Sequence, residues 1–210
     1  MDPMVDRPTF AGVVPSSGAS TRMGRHKGLL EIDGSTFLQR IVEALREGGC
    51  DPVLAVVAEG EEALAAEAAS AGALVLLNPD PGEGPITSLR IALEALDGSV
   101  GGVAYLPVDH PMVRPDTVEK LIDAAASTGA ALTLPMYGSK RGHPAVFAEA
   151  LFAELRAPAL EGGAKTVVYR HLSDALLVDV QDEGVVIDVD TPTVYESILA
   201  GDFDPARRDA

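Results

Sequence analysis

The chain has one cysteine and few basic residues, and both shortages restrict what the protein can be. Cys50 has no second cysteine with which to form an internal disulfide, as is typical of proteins from a reducing compartment, and we expect it to be structural. The sequence has 16 Lys and Arg against 32 Asp and Glu, a formal net charge of −16. Nucleic-acid binding needs clustered cations, so this balance argues against it.

Long apolar runs are also missing. No stretch approaches the roughly 20 apolar residues of a membrane-spanning helix, and the N-terminal MDPMVDRP lacks the basic and apolar regions of a signal peptide. We therefore predict a cytoplasmic protein with no membrane partner.

Two common glycine fingerprints are absent from the loop VPSSGASTRMGRHKG (14–28). G-x-G-x-x-G fails because five residues separate Gly18 from Gly24 and no third glycine is in register. G-x-x-x-x-G-K-[ST] fails because Lys27 is followed by Gly28. The first absence disfavours a dinucleotide-dependent dehydrogenase.

The same loop nevertheless concentrates positive charge in an acidic protein. Three of the 16 basic residues lie between Arg22 and Lys27, which indicates a small anionic ligand at that point. With 210 residues, 47% hydrophobic and 23% charged, the chain suits one α/β domain with a sizeable core.

Apolar runs alternate with helical patterns along the first two thirds of the chain. This rhythm predicts a single-domain, doubly wound, mostly parallel sheet. The predicted strands are 9–14, 52–57, 73–77, 102–108 and 131–135, and the predicted helices are 36–45, 61–71, 86–96 and 116–126. Thr36 and Gln39 have the spacing of a capping box at the first helix.

The rhythm changes after about residue 136. Helical patterns are expected at 147–155 and from Gly163, and the apolar runs 175–180 and 185–190 predict a late β-hairpin or antiparallel element. Alternation would place Asp188 and Asp190 on one strand face. We predict an N-terminal extension (1–8), one domain (9–200) and a flexible tail (201–210).

Polar segments follow the predicted strands where open α/β sheets bind ligands, beyond the carboxyl ends. These segments are the 14–28 loop, NPDPGEGPITS from Asn78, Asp109 after the fourth strand and Asp190 in the last motif. Backbone amides and cations facing carboxylates are the groups that metal-assisted phosphoryl chemistry requires.

The loop VPSSGASTRMGRHKG resembles the L-A-A-G-x-S-x-R-M-G-x-x-K signature of the MobA-like nucleotidyltransferases, and within them the molybdenum cofactor cytidylyltransferases. The likeness covers roughly residues 9–198 and continues in family order through NPDPGEGPITSLRIAL, LPVDHPMV, RGHPAVF, EGGAK and IDVDTP. It implies a Rossmann-like, GT-A-like nucleotidyltransferase fold.

The resemblance assigns roles to individual residues. Lys27, Arg22 and Asp109 would be catalytic, with Lys27 at the α-phosphate and Arg22 on the β- and γ-phosphates. Asp109 and Asp190 would bind Mg²⁺. The expected nucleotide-binding residues are Ser16, Ser17, Gly18, Ala19, Ser20, Arg22, Lys27, Asn78, Gly82 and Ser88, and the expected acceptor-binding residues are His143, Lys165 and Asp188.

The implied reaction is transfer of CMP from CTP to a phosphorylated acceptor, molybdopterin, with release of pyrophosphate. Ser17, the Ser88-Leu89-Arg90 match and His143 favour CTP, whereas Gly84-Pro85 resembles the GTP-using members. A molybdoenzyme or its chaperone is the implied transient partner. The alternatives are a GTP-using enzyme, a nucleotidyltransferase acting on another phosphorylated metabolite such as a sugar phosphate, and a non-catalytic nucleotide-binding chaperone.

The chain departs from the family pattern at several positions. Pro15, Ser16 and Ser17 replace Leu-Ala-Ala, and His110 stands where Gln or Met is commoner. Lys165 replaces a frequent Arg, and Thr193-Val194 replaces Glu-Asp. These departures leave the phosphate and metal roles intact and bear mainly on the acceptor.

Overall fold

The computed structural model describes residues 8–18, 26–96, 98, 100–158 and 160–203. The strands in these residues are β1 (Phe10–Ser16), β2 (Glu31–Ile32), β3 (Ser35–Thr36), β4 (Cys50–Ala58), β5 (Leu74–Asn78), β6 (Gly102–Tyr105), β7 (Leu132–Tyr137), β8 (Lys140–Arg141), β9 (Ala145–Ala148) and β10 (Leu176–Asp179). The α-helices are α1 (Phe37–Glu47), α2 (Glu62–Ser70), α3 (Pro85–Ala95), α4 (Pro115–Thr128), α5 (Phe152–Arg156), α6 (Ala164–Arg170) and α7 (Pro192–Leu199).

Eight of the described strands form one sheet. Seven follow the order β10-β7-β9-β6-β1-β4-β5, and β8 pairs with β7 at one end. β1 is central and parallel to β4 and β6, and β10 is parallel to β7. β9 runs antiparallel between β6 and β7, while β2 and β3 form a separate pair. The mostly parallel α/β fold with an antiparallel element is confirmed.

The elements predicted in the first two thirds of the chain form within a few residues of their expected bounds. At α1 the capping box is present: the Thr36 hydroxyl accepts from Gln39 N at 3.1 Å, and the Gln39 side chain accepts from Thr36 N at 3.0 Å. This exchange satisfies two backbone donors that a helix start would otherwise leave unpaired.

The late hairpin predicted from 175–180 and 185–190 does not form in the described residues. The first run makes β10, which pairs in parallel with β7, and the second is a short 3₁₀ helix (Glu183–Val186) followed by extended backbone outside the sheet. The buried Asp182 side chain explains the difference, because it accepts from Thr117 Oγ1 at 2.8 Å and from Gly184 N at 3.0 Å. These bonds fix a turn that directs the chain away from β10.

Both β8 and β9 pair antiparallel with β7, and β9 takes up the first two residues of the segment expected to be helical from 147 to 155. Val146 and Phe147 are each about 1% exposed between β6 and β7, so burial on both sides favours a strand there. The helix follows only at Phe152–Arg156.

Two apolar layers cover the sheet. Alternating β1 residues contribute to opposite layers: Val14 packs with α1 and α4, and Val13 packs with α3 and α5. Cys50 is 3% exposed in the first layer, and burial raises the pKa of its thiol to about 12, which suits a structural role. None of the described helices is long and apolar enough to cross a membrane.

Candidate active site

The polar segments meet at one edge of the sheet, as expected for the carboxyl ends of parallel strands. β9 adds to this edge because it runs the other way: Ala145, its first residue, pairs with Tyr105, the last residue of β6. The residues gathered along the edge are Ser17 after β1, Asn78 at the end of β5, Asp109 after β6 and His143 before β9.

Lys27 lies between two carboxylates at this edge. Its Nζ donates to Asp190 Oδ1 in a short contact and lies 4.0 Å from Asp109 Oδ2. The Lys27 side chain is 16% exposed, against 28% for Asp109 and 41% for Asp190. The ammonium group therefore sits below the surface, and the two carboxylates open toward solvent.

Backbone contacts fix Asp190 opposite Asp109. Val189 N donates to Asp109 O at 2.7 Å, and Val185 O accepts from His143 N at 2.8 Å. The chains approach so closely that a Cβ added at Gly142 would lie 2.0 Å from Val185 O. The segment before α7 is thus joined to both loops that flank the site.

The His110 side chain contacts Asp109, and the His143 side chain packs against His110. His110 Nδ1 lies 2.8 Å from Asp109 Oδ1, and the His110 ring meets the His143 ring edge-on with centroids 4.5 Å apart. Burial alone would raise the pKa of Asp109, but the hydrogen bond from His110 and the nearby positive charges outweigh it and hold the pKa below its usual range. Burial lowers the pKa of His143 to about 4, so this imidazole is neutral near pH 7.

Asp109 and Asp190 are suited to a hard divalent cation. Both offer carboxylate oxygens to one space, and Mg²⁺ in nucleotide sites is held by one or two carboxylates with water and substrate phosphate completing the shell. No cluster of three or more His, Cys, Asp or Glu with metal-ligand geometry occurs in the described residues. The donor set therefore fits an ion bound together with a phosphate ligand better than an all-protein metal cage.

A buried polar cluster supports the loop after β1. Asn78 Nδ2 donates to Ser17 Oγ at 3.2 Å and to Thr87 Oγ1 at 2.9 Å, and the Ser17 and Ser88 hydroxyls are 2.7 Å apart. Asn78 is 1% exposed and Ser88 is fully buried, whereas Ser17 borders a cavity. Hydrogen bonds with buried Asn78 and Ser88 therefore hold the Ser17 hydroxyl in place from the protein interior.

Two adjoining cavities open at the edge. The smaller, about 330 Å³, is lined by Ser17, Gly18, Lys27, Asp109 and His110, among others. The larger, about 650 Å³, is mostly apolar, with Arg141 and Lys165 contributing its basic groups. The residues that line both cavities are Pro85, Tyr105, Pro107 and His143.

The structure brings together many of the residues singled out in the sequence. Ser17, Gly18, Lys27, Asp109, Asp190 and His143 meet at the smaller cavity or its ion pairs, and Lys165 lines the larger one. Ser16 is buried at the end of β1, and Gly82 lies in a 3₁₀ turn (Pro81–Glu83) whose first residue lines the smaller cavity. Their ligand contacts stay predictions.

The roles predicted for the remaining site residues stay predictions. Ala19, Ser20 and Arg22 fall outside the described residues. Asp188 lies in the extended segment outside the sheet, so the prediction that it shares a strand face with Asp190 is wrong. Asp182 bends the chain before this segment can extend β10.

Sequence reasoning gave no site role to Arg141 or Tyr105, and it noted Pro85 only for its likeness to the GTP-using members. Arg141 precedes the Gly-His-Pro motif and lines the larger cavity, and Tyr105 and Pro85 lie on the boundary between the two cavities. The basic pair Lys140-Arg141 in an acidic chain was the available signal for the first. Tyr105 lies within an apolar run that predicted only a strand.

Comparison with known proteins identifies the family. The family model of the MobA-like NTP transferase domain matches residues 12–176. A Mycobacterium avium (strain 104) protein named probable molybdenum cofactor guanylyltransferase is 29% identical over 175 residues, 82% of this chain and 84% of that protein. The nicotine blue oxidoreductase of Paenarthrobacter nicotinovorans is 29% identical over 196 residues, 89% and 94% of the two chains.

Solved structures show the same architecture. The crystal structure of Rv0371c from Mycobacterium tuberculosis H37Rv superimposes with a TM-score of 0.78 at 27% identity, over 91% of this chain and 98% of the other. A second structure of that protein, in complex with manganese, has a TM-score of 0.72. Because the family model matches well over half of the sequence, the chain belongs to the MobA-like NTP transferase family and is a nucleotidyltransferase.

Proposed function

We propose that this protein transfers a nucleoside monophosphate from a nucleoside triphosphate to the phosphate of a molybdopterin acceptor and releases pyrophosphate. The observation that carries the proposal is the Lys27 ammonium group between Asp109 and Asp190 at the smaller of two adjoining cavities. The related M. avium protein, named for the guanylyl reaction on the molybdenum cofactor, supports the choice of acceptor.

The two cavities suit two substrates. The smaller one has the loop after β1, Lys27 and the carboxylates, which suits a triphosphate. The larger one combines apolar walls with Arg141 and Lys165, which suits a flat organic ring system with an anionic group. Because Tyr105 and His143 border both cavities, the reacting groups of the two ligands would meet beside them.

The chain's own residues act by positioning and by charge. Lys27 would bind phosphate oxygens of the triphosphate, and Asp109 and Asp190 would hold a divalent cation, for which Mg²⁺ is the proposed ion. When bound, that ion would neutralise phosphate charge. The neutral His143 side chain borders the path of the acceptor without adding charge.

The chemical step requires no covalent enzyme intermediate. An oxygen of the acceptor phosphate attacks the α-phosphorus, the new P–O bond forms, and the bond from the α-phosphorus to the bridging oxygen of pyrophosphate breaks. Pyrophosphate departs with that electron pair. Bringing the two substrates together in line and stabilising the transferred charge supply the rate.

GTP is the proposed nucleotide, because the relative with the guanylyl name is similar over most of both chains. This choice replaces the CTP expected from short motifs. CTP remains the second candidate on one observation: Ser17 and Ser88, where the sequence resembles the cytidylyl pattern, have hydroxyls 2.7 Å apart, and Ser17 lines the smaller cavity.

The deciding experiment measures pyrophosphate release from GTP and from CTP, with Mg²⁺ or Mn²⁺ and molybdopterin. We expect release with GTP that depends on both metal and acceptor. Release with CTP alone would reverse the nucleotide assignment, and release only with a sugar phosphate would overturn the acceptor. Absence of release with any pair, together with nucleotide binding, would favour a nucleotide-binding chaperone.

The relative named as an oxidoreductase calls for a parallel assay. NAD(P)H binding and oxidation would be measured with the same preparation. We expect neither, because the loop after β1 lacks G-x-G-x-x-G. Cofactor oxidation without pyrophosphate release would overturn the proposed function.

A further inference from the structure

His110 is adjacent to Asp109 in the chain, and its ring turns back onto the Asp109 carboxylate. Nδ1 lies 2.8 Å from Oδ1. An ionised carboxylate only accepts hydrogen bonds, so Nδ1 is the nitrogen that carries the hydrogen in this pair. The other carboxylate oxygen, Oδ2, is the one that lies 4.0 Å from Lys27 Nζ. The two oxygens of Asp109 therefore have different partners.

The His110 ring is itself held in one orientation. The residue is 9% exposed, and its backbone N donates to Pro107 O at 3.1 Å. On the ring's other side, the His143 ring packs against it with an interplanar angle of 67°. His143 is fixed in turn by the hydrogen bond from its backbone N to Val185 O. A rigid donor of this kind can orient a carboxylate that is more than a quarter exposed.

We propose that His110 is a positioning residue: its Nδ1–H holds Oδ1 of Asp109 so that Oδ2 is directed toward the ion pair of Lys27 with Asp190. The inference rests on the proposed function, since it takes Asp109 to be a metal ligand. Ligating carboxylates are commonly fixed by such hydrogen bonds, and loss of the partner typically weakens metal affinity by about 10- to 100-fold.

A competing explanation is that His110 only fills space beneath His143. Two substitutions separate these roles. His110→Phe keeps a ring against His143 and removes the hydrogen-bond donor. His110→Asn removes the ring but places its Nδ2 close to the position of the histidine Nδ1, so that the donor is kept. His171→Phe is the matched control, because His171 Nε2 makes a similar 2.7 Å contact with Glu154 Oε2 elsewhere on the chain.

The test measures Mn²⁺ binding to the nucleotide-free protein from the EPR signal of the free ion, and pyrophosphate release in parallel. We expect His110→Phe to weaken Mn²⁺ binding about 10- to 100-fold, and His110→Asn and His171→Phe to stay near wild type. Thermal unfolding of each variant shows whether it is folded. If His110→Phe does not fold, His110→Leu takes its place.

Either of two outcomes overturns the proposal. The first is equal Mn²⁺ affinity in wild type and His110→Phe. The second is weaker Mn²⁺ binding in His110→Asn than in His110→Phe, which is the order expected if His110 only fills space. The readout does not depend on turnover. If His110→Phe weakens Mn²⁺ binding but the wild-type protein releases no pyrophosphate, the proposed function is refuted and this inference still stands.

Discussion

Lys27 Nζ contacts Asp190 Oδ1 and lies 4.0 Å from Asp109 Oδ2, so one ammonium group joins two carboxylates from distant parts of the chain. The positive charge of Lys27 offsets part of the negative charge of these two carboxylates. The proposed function assigns these three groups to the binding of triphosphate and metal.

Lys27→Ala tests the catalytic role. We expect the rate of pyrophosphate release to fall by about 10²- to 10³-fold, because a charged donor aimed at the reacting phosphate is lost. The change in thermal stability should be small, since Asp190 is 41% exposed and remains hydrated. Lys120→Ala is the control, because Lys120 Nζ contacts Asp179 O at an exposed position. If loss of folded protein accounts for the whole fall in rate of Lys27→Ala, the lysine is structural.

Lys27→Met tests the competition between lysine and metal. The substitution keeps a long apolar side chain and removes the charge, so Mn²⁺ should bind the nucleotide-free variant more tightly than it binds wild type. Binding of the triphosphate should weaken in the same variant. Calorimetric titrations with Mn²⁺ alone and with GTP alone measure the two effects. Weaker Mn²⁺ binding in Lys27→Met would contradict the proposed competition.

The depressed pKa of His143 makes stability depend on pH. In the unfolded chain this histidine takes up a proton near pH 6.5, whereas in the folded protein it does so only near pH 4. Protonation of His143 therefore leaves the free energy of unfolding unchanged above pH 6.5. It lowers that free energy as the pH falls toward 4, by about 3 kcal/mol at most. Urea unfolding between pH 7.5 and 4.5 should show this loss in wild type.

His143→Gln should flatten that profile. Above pH 7 the variant should differ from wild type by a constant amount, which serves as the internal reference. A residual slope is expected from His26, whose pKa burial also lowers. If the wild-type and His143→Gln profiles stay parallel down to pH 4.5, His143 is not the titrating group.

Asn78 should matter more for stability than the serines it contacts. Asn78→Ala removes a donor from three buried or half-buried hydroxyls and an acceptor from Asp80 N, and we expect a loss of about 1–3 kcal/mol in urea unfolding. Ser88→Ala leaves Asn78 bound to Ser17 and Thr87, so its effect should be smaller. A larger loss in Ser88→Ala would place Ser88 at the centre of the cluster instead.

Much of the fold could be predicted because local patterns decided it. β1 and β4 are apolar on both faces, and α1 begins with a capping box, so the sequence alone specifies these elements. The end of the chain could not be predicted in this way. The path of 182–190 depends on Asp182 bonding to Thr117 across the fold, a contact that no local pattern indicates.

In the candidate site, too, the sequence indicated some residues and could not indicate certain contacts. Lys27, Asp109 and Asp190 stand in recognisable motifs, and the fold brings them together. The contact of His110 with His143 depends on where β9 enters the sheet, so the sequence showed His110 only as a departure from the family pattern.

Because β9 runs antiparallel to β6 and β7, the loop that precedes β9 lies at the same edge of the sheet as the carboxyl end of β6. Residues that follow β1 and β6 line the smaller cavity, whereas the loop before β9 and the segment leading into α6 line the larger one. Substitutions in that loop and segment can therefore reshape the larger cavity while β1 and β6, which precede Lys27 and Asp109 in the chain, keep their register. A single fold of this kind can retain one phosphoryl chemistry while its second substrate diverges.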